Sequence, residues 1–219
     1  MSDFLESCAV VSFAVLVVAG VELLCVGLLW ARAERRLRVL LLGVVGVGIA
    51  YDSAVFGLGA LIGEGALLHG LSVGRFVAHA LLTPLLVLWA VDRVYATAWL
   101  RRAALVLTVA MVLWGVLGEL AHVRLVPRTF ADTFRYGSQH PAVPIPALVV
   151  SAVLLAAAVS LWRTEHLRFP LIGIVLLVVA SGAATVCPPL GNLGEAIMMS
   201  ALTGAELALV SRAAAPVGR

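Results

Sequence analysis

The sequence contains no lysine; all fifteen basic residues are arginine. A retinal Schiff base is thereby excluded, because no side-chain amine exists to form one. Charge of either sign is scarce: 12% of residues are charged, against about 25% in soluble domains. Cys8, Cys25 and Cys187 are the three cysteines, and no C-x-x-C occurs, so neither a disulfide framework nor a zinc knuckle is indicated. No run of basic residues interleaved with aromatics occurs, which argues against nucleic acid as a partner. The D-D-x-x-D aspartates that hold magnesium diphosphate in membrane prenyltransferases are missing, as are G-x-S-x-G and H-E-x-x-H. A seven-helix zinc hydrolase needs several histidines and an aspartate at one depth, and only His79 is placed deep enough. No metal or cofactor is expected.

What fills the sequence instead is apolar. Hydrophobic residues make up 63% of the chain, and the mean hydropathy is +1.10. A bilayer core needs roughly 20 apolar residues per helix. Seven runs approach that length, at 7–31, 39–63, 73–91, 103–121, 144–162, 169–187 and 190–210. The expected fold is an all-α, seven-transmembrane-helix bundle forming a single domain over 1–219, a multi-pass protein of the cell membrane. The acidic N-terminus, MSDFLES, argues for a retained first helix. The one long connection, 122–143, is expected to hold a short interfacial helix or a lid. Eleven arginines fall in one set of loops (32, 35, 36, 38, 93, 101, 102, 163, 168, 212 and 219). Four fall on the other side (75, 124, 128 and 135). The positive-inside rule then places the N-terminus outside and the C-terminus in the cytoplasm. Pro84 is expected to kink the third run. Gly59-x-x-x-Gly63, Gly70-x-x-x-Gly74 and Ser200-x-x-x-Gly204 have the spacing of close helix packing.

Against this background six acids stand out: Glu22, Asp52, Glu64, Glu119, Glu195 and Glu206 lie in or at the ends of apolar runs. A carboxylate at a helix centre costs about 2.5–3.5 kcal/mol on insertion scales. Asp52 falls near the midplane, and Glu64 closes the same run between two glycines. Arg75 and His79 are four apart and share a helix face. Asp52, Glu64, Arg75, His79, Glu119 and Glu195 all belong to the outer half, so the second, third, fourth and seventh runs can close around one cavity. Glu22 and Glu206 are expected nearer the cytoplasm. Purely structural roles are open to each: an ion pair of Asp52 with His79 or Arg75, a solvated Glu64, a helix-end Glu119, a dipole-favoured Glu195, and snorkelling pairs of Glu22 and Glu206 with arginines.

Carboxyls in a greasy cavity permit acid chemistry. Burial disfavours ionisation, so a carboxyl in apolar surroundings is a proton donor. A prenyl chain partitions into the bilayer, and its alkene or epoxide is cationised by a proton if water is kept away. The size, the seven-helix plan, Glu64 in LIGEG and Glu195 in GNLGEAIMM resemble the small integral-membrane terpene cyclases. These belong to fungal meroterpenoid and indole-diterpene pathways and to bacterial drimentine-type pathways. The family places an essential glutamate at the outer end of its second helix and a second acid, usually aspartate, in its last. The resemblance implies metal-independent, proton-initiated cyclisation of a hydrophobic prenyl or prenylated substrate. Glu64 or Glu195, assisted by Asp52, would be the catalytic acid. Trp89, Trp114 and Phe56 would face cationic intermediates. Arg75 and the outer-loop arginines would orient a polar head group, and His79 and Glu119 would also line the substrate site. Two other classes stay open: a proton-coupled carrier or channel using acids along a path, and a noncatalytic membrane subunit.

Overall fold

The computed structural model describes residues 10–33, 36–94, 97–140 and 144–214. The helices are α1 (Val10–Arg32), α2 (Leu37–Ile62), α3 (Ala66–Leu82), α4 (Leu85–Arg93), α5 (Ala98–Trp114), α6 (Ile145–Glu165), α7 (Phe169–Ala183) and α8 (Pro189–Ala214). Six helical stretches are long and apolar enough to cross a membrane, with α3 and α4 counted together as Ala66–Arg93. The seventh, α7, has only 15 residues, because the chain leaves the helix through turns before Pro188 and Pro189. Successive spans run in opposite directions. One end of the bundle therefore gathers the arginine-rich connections, and the other carries the long connection.

The third span begins at Ala66, not at residue 73. Gly63 (φ 77°) and Gly65 (φ 157°) adopt conformations that side-chain-bearing residues avoid, so the chain reverses within three residues and the helix restarts at once. Pro84 separates α3 from α4, as a residue without an N–H must. Its carbonyl accepts the Thr108 hydroxyl at 3.4 Å.

The long connection, for which an interfacial helix or a lid was expected, holds no α-helix among its described residues. It forms an antiparallel hairpin of β1 (Leu125–Phe130) and β2 (Thr133–Ser138). Its Val, Thr, Phe and Tyr residues favour extended backbone over helix. Ala131 and Asp132 make the two-residue loop, with Ala131 left-handed at φ 50°. The hairpin is strapped across the bundle. Tyr136 packs edge-on to His69 and Phe134, and its N–H reaches the Ser72 hydroxyl. The Phe134 carbonyl lies where a Cβ on Gly59 would sit, so Gly59 admits the hairpin rather than another helix. Gly74, by contrast, makes room for the Tyr51 ring of α2.

The strap ends on α1. Asp132 carboxylate oxygens accept the N–H groups of Val11 (3.2 Å) and Ser12 (2.9 Å). Partial burial opposes ionisation of this carboxyl, but the Ser12 and Val11 donors win and hold it below the ordinary value of 3.8. Its contribution is therefore full above that value and is lost as pH falls from there through the lower folded-state pKa. Asp132→Ala is expected to cost about 1 kcal/mol, as for loss of a helix cap. Hydrogen exchange at Val11 and Ser12 should accelerate, and wild type should show the same loosening only in acid below about pH 4.

The apolar core fills the half of the bundle nearer the arginines. Leu29, Leu42, Leu86, Leu154, Ile174, Met199 and Leu202 are essentially inaccessible there. At its edge lies Glu206, 1% exposed, which accepts the Trp89 indole N–H at 3.0 Å. Arg38 and Arg93 approach the same oxygen at 3.5 and 3.6 Å. This network ties α8 to α2 and α4 and is structural. Glu206→Gln leaves Arg93 without its counter-charge and Arg38 with Asp92 alone, and is expected to cost about 1.5–3 kcal/mol, read as a lower unfolding midpoint in detergent.

Candidate functional site

At the opposite end, between α3, the end of α5 and the hairpin, lies a cavity of about 750 Å³. That is within the range of ligand pockets. Its charged lining comprises Asp52, Glu119, Arg75, Arg124 and Arg135, with the histidines His79, His122 and His140. A cleft of about 10 Å³ adjoins it, also bounded by Asp52, Arg75 and His79, and leads to Glu195.

Asp52 forms the hub of the floor. The Arg75 guanidinium donates to it through Nε (2.6 Å to Oδ1) and Nη2 (3.1 Å to Oδ2). This two-point geometry is the strong form of a carboxylate–arginine pair. Asn192 Nδ2 donates to Oδ2 at 2.7 Å and to the Ser53 hydroxyl at 3.1 Å. Three helices, α2, α3 and α8, are thus joined at mid-depth. Asn192 is the only asparagine in the sequence. It lies three residues before Glu195, on the same helix face, and that spacing was the available sign of its role.

Glu22 corrects an expectation. It lies near the middle of α1 and faces Ser53 and Asp52, not the arginine-rich end. It is 0% exposed, and neither oxygen meets hydrogen-bond geometry among the described residues, Ser53 included. Ser53 spends its lone pairs on Asn192, which leaves its own proton free to turn toward Glu22.

Glu119 reaches the cavity because α5 widens into a π turn over Gly115–Glu119. Such turns shift the phase of the side chains that follow and recur at functional sites. Gly115 permits the close approach of α3, where its Cβ would press on Ala80. Glu119 makes no hydrogen bond or ion pair among the described residues, while His79 lies within electrostatic reach of both Glu119 and Asp52. The Arg135 guanidinium stacks 4.3 Å from the centroid of Phe56, which also carries Arg75 at 5.7 Å. Burial, reinforced by the Arg75 charge, pushes Arg135 down to about 10, so it stays charged at neutral pH.

The remaining candidates lie elsewhere. Glu64 is exposed in the α2–α3 turn and lines neither cavity, so it does not meet Glu195. Trp89 is buried beside Glu206, and Trp114 is 54% exposed on the outer face of α5. Phe56 stands behind the arginines rather than in the cavity wall. His122 and His140 also line the cavity. Among the described residues no three His, Cys, Asp or Glu side chains converge as metal ligands. Comparison with protein-family models, curated proteins and solved structures finds no match.

Proposed function

We propose that the chain is a membrane-embedded cyclase that protonates a prenyl chain and closes it into rings. The observation that carries this reading is a chamber of about 750 Å³ with the Glu119 carboxyl, unbonded among the described residues, in its wall and the Asp52 carboxylate fixed in its floor. Glu119 is the donor in this scheme. Its proton goes to a terminal alkene carbon, the alkene's electron pair forms the new C–H bond, and a tertiary cation results. The Asp52 carboxylate, held by Arg75 and Asn192, stabilises that positive charge through space. Ring closure moves the cation along the chain until a C–H proton is lost to His79 or to the Glu119 carboxylate. The sum is an isomerisation. Glu195 lies behind the floor, on the cleft that Asp52 and His79 also bound. The arginine distribution supports a chamber end that faces outside and an arginine-rich end that faces the cytoplasm.

The test is product analysis in D₂O. Purified protein incubated with farnesyl- or geranylgeranyl-type chains should yield cyclised isomers that carry one solvent deuterium. Absence of cyclised product, or product without deuterium, rejects the reading.

A carrier is the second reading, favoured by Glu22, a buried carboxyl without a hydrogen bond. The band of Leu29, Leu42, Met199 and Leu202 between the acids and Glu206 speaks against it, since the polar side chains described within it, Thr203 and the Cys25–Ser200 pair, carry no carboxyl or imidazole to relay a proton. Proteoliposomes with pH-driven flux would reverse the preference.

A further inference from the structure

We propose that the rim of the chamber is a subsite for a phosphate-type head group, so that the ligand is a prenyl chain ending in a phosphate or diphosphate. The chain part of this inference rests on the cyclase reading; the anion part does not. Of the three arginines lining the chamber, Arg75 is committed to Asp52. Arg124 and Arg135 have no salt bridge among the described residues. Two cationic side chains therefore face a cavity with their N–H donors unspent.

Arg135 is not a loose surface charge. It is carried on a paired strand, opposite Arg128, and its guanidinium is stacked on Phe56, itself 0% exposed. A guanidinium held in place loses little freedom when it binds, which favours affinity. Arg124 is brought to the same rim by the open end of the hairpin, where its carbonyl accepts the Gln139 N–H at 2.8 Å. His122 and His140 add donors at that level. A phosphate or diphosphate offers enough oxygens to engage two guanidinium forks together. The Asp52 carboxylate is already matched by Arg75, so the head group is assigned to the two arginines without a carboxylate partner and the chain to the rest of the chamber, which includes Glu119. A chain bound this way presents its terminal alkene, not its head, to the acid. The chamber's 750 Å³ suits a single chain better than a two-chain phospholipid.

Equilibrium binding to the full-length protein in detergent tests this with four probes: farnesyl diphosphate, farnesol, inorganic pyrophosphate and phosphatidylglycerol. Farnesyl diphosphate should bind about tenfold or more tighter than farnesol. Inorganic pyrophosphate should compete with it weakly, and phosphatidylglycerol should not compete. Arg135→Gln and Arg124→Gln should each remove most of the preference and leave farnesol affinity within about twofold. Arg124 is exposed, so its variant reports binding even if Arg135→Gln disturbs the hairpin. Equal affinity for the diphosphate and the alcohol, or a preference that survives both substitutions, overturns the subsite. So does phosphatidylglycerol binding as tightly as farnesyl diphosphate. Product formation is scored separately. A diphosphate preference without cyclised product rejects the cyclase and keeps the anion subsite; cyclisation without the preference does the reverse.

Discussion

Asp52→Ala is expected to destabilise the protein by about 3 kcal/mol, the low end for removing one member of a buried ion pair, because Arg75 is buried while Asp52 is 25% exposed toward the chamber. The size follows from what is left behind. Arg75 is 8% exposed and would keep a buried charge with no carboxylate to accept its two N–H bonds. Asn192 would lose its 2.7 Å acceptor and keep only Ser53. The unfolding midpoint in detergent should fall by on the order of 10 °C. Asp52→Asn should also be costly, because it keeps a hydrogen-bond acceptor but not the charge. The double variant Asp52→Leu/Arg75→Leu should recover much of the loss, since an apolar pair of similar volume is often as stable as a buried ion pair. A single Asp52→Ala variant within about 1 kcal/mol of wild type would show that the pair is not coupled in the membrane-spanning bundle. The recovery in the double variant separates stability from chemistry: it should be folded and inactive.

The spans were legible in the sequence because lipid imposes a simple rule, a long apolar run with few charges. The acids were legible for the same reason, as violations of that rule. Their neighbours were less so. Arg75 was one of two partners offered for Asp52, and helical spacing alone does not choose between Arg75 and His79, which share a face. The hairpin was missed because its residues sit in a connection, where hydropathy carries little signal. Missing it hid the placement of Arg124, Arg135, His122 and His140. Glu64 and Glu119 were each placed at a helix end by counting residues. Counting gives depth but not direction. A two-glycine turn leaves Glu64 exposed, whereas a π turn rotates Glu119 inward. Trp89 and Trp114 failed as pocket residues on the same ground: depth was read, azimuth was not.

Glu119→Gln is expected to reduce cyclised product by about 10²–10⁴-fold, the usual contribution of a positioned general acid. Gln has nearly the same shape and no proton of comparable acidity. Because Glu119 forms no hydrogen bond or ion pair among the described residues, the unfolding midpoint should stay within a degree or two of wild type. That combination, lost turnover at unchanged stability, is what a structural role would not produce. The resemblance read from the sequence assigns the donor differently, to Glu64 or Glu195. The geometry gives the opposite ordering, since Glu64 is exposed outside the chamber and Glu119 lines it. Glu64→Gln should therefore turn over at close to the wild-type rate. Glu195→Gln should fall between the two, because Glu195 reaches the reacting chain only through the cleft beside Asp52 and His79. Full activity in Glu119→Gln together with loss in Glu64→Gln would return the donor to the α2–α3 turn. The turn would then have to fold inward over the chamber during catalysis, with Gly63 and Gly65 as the hinges.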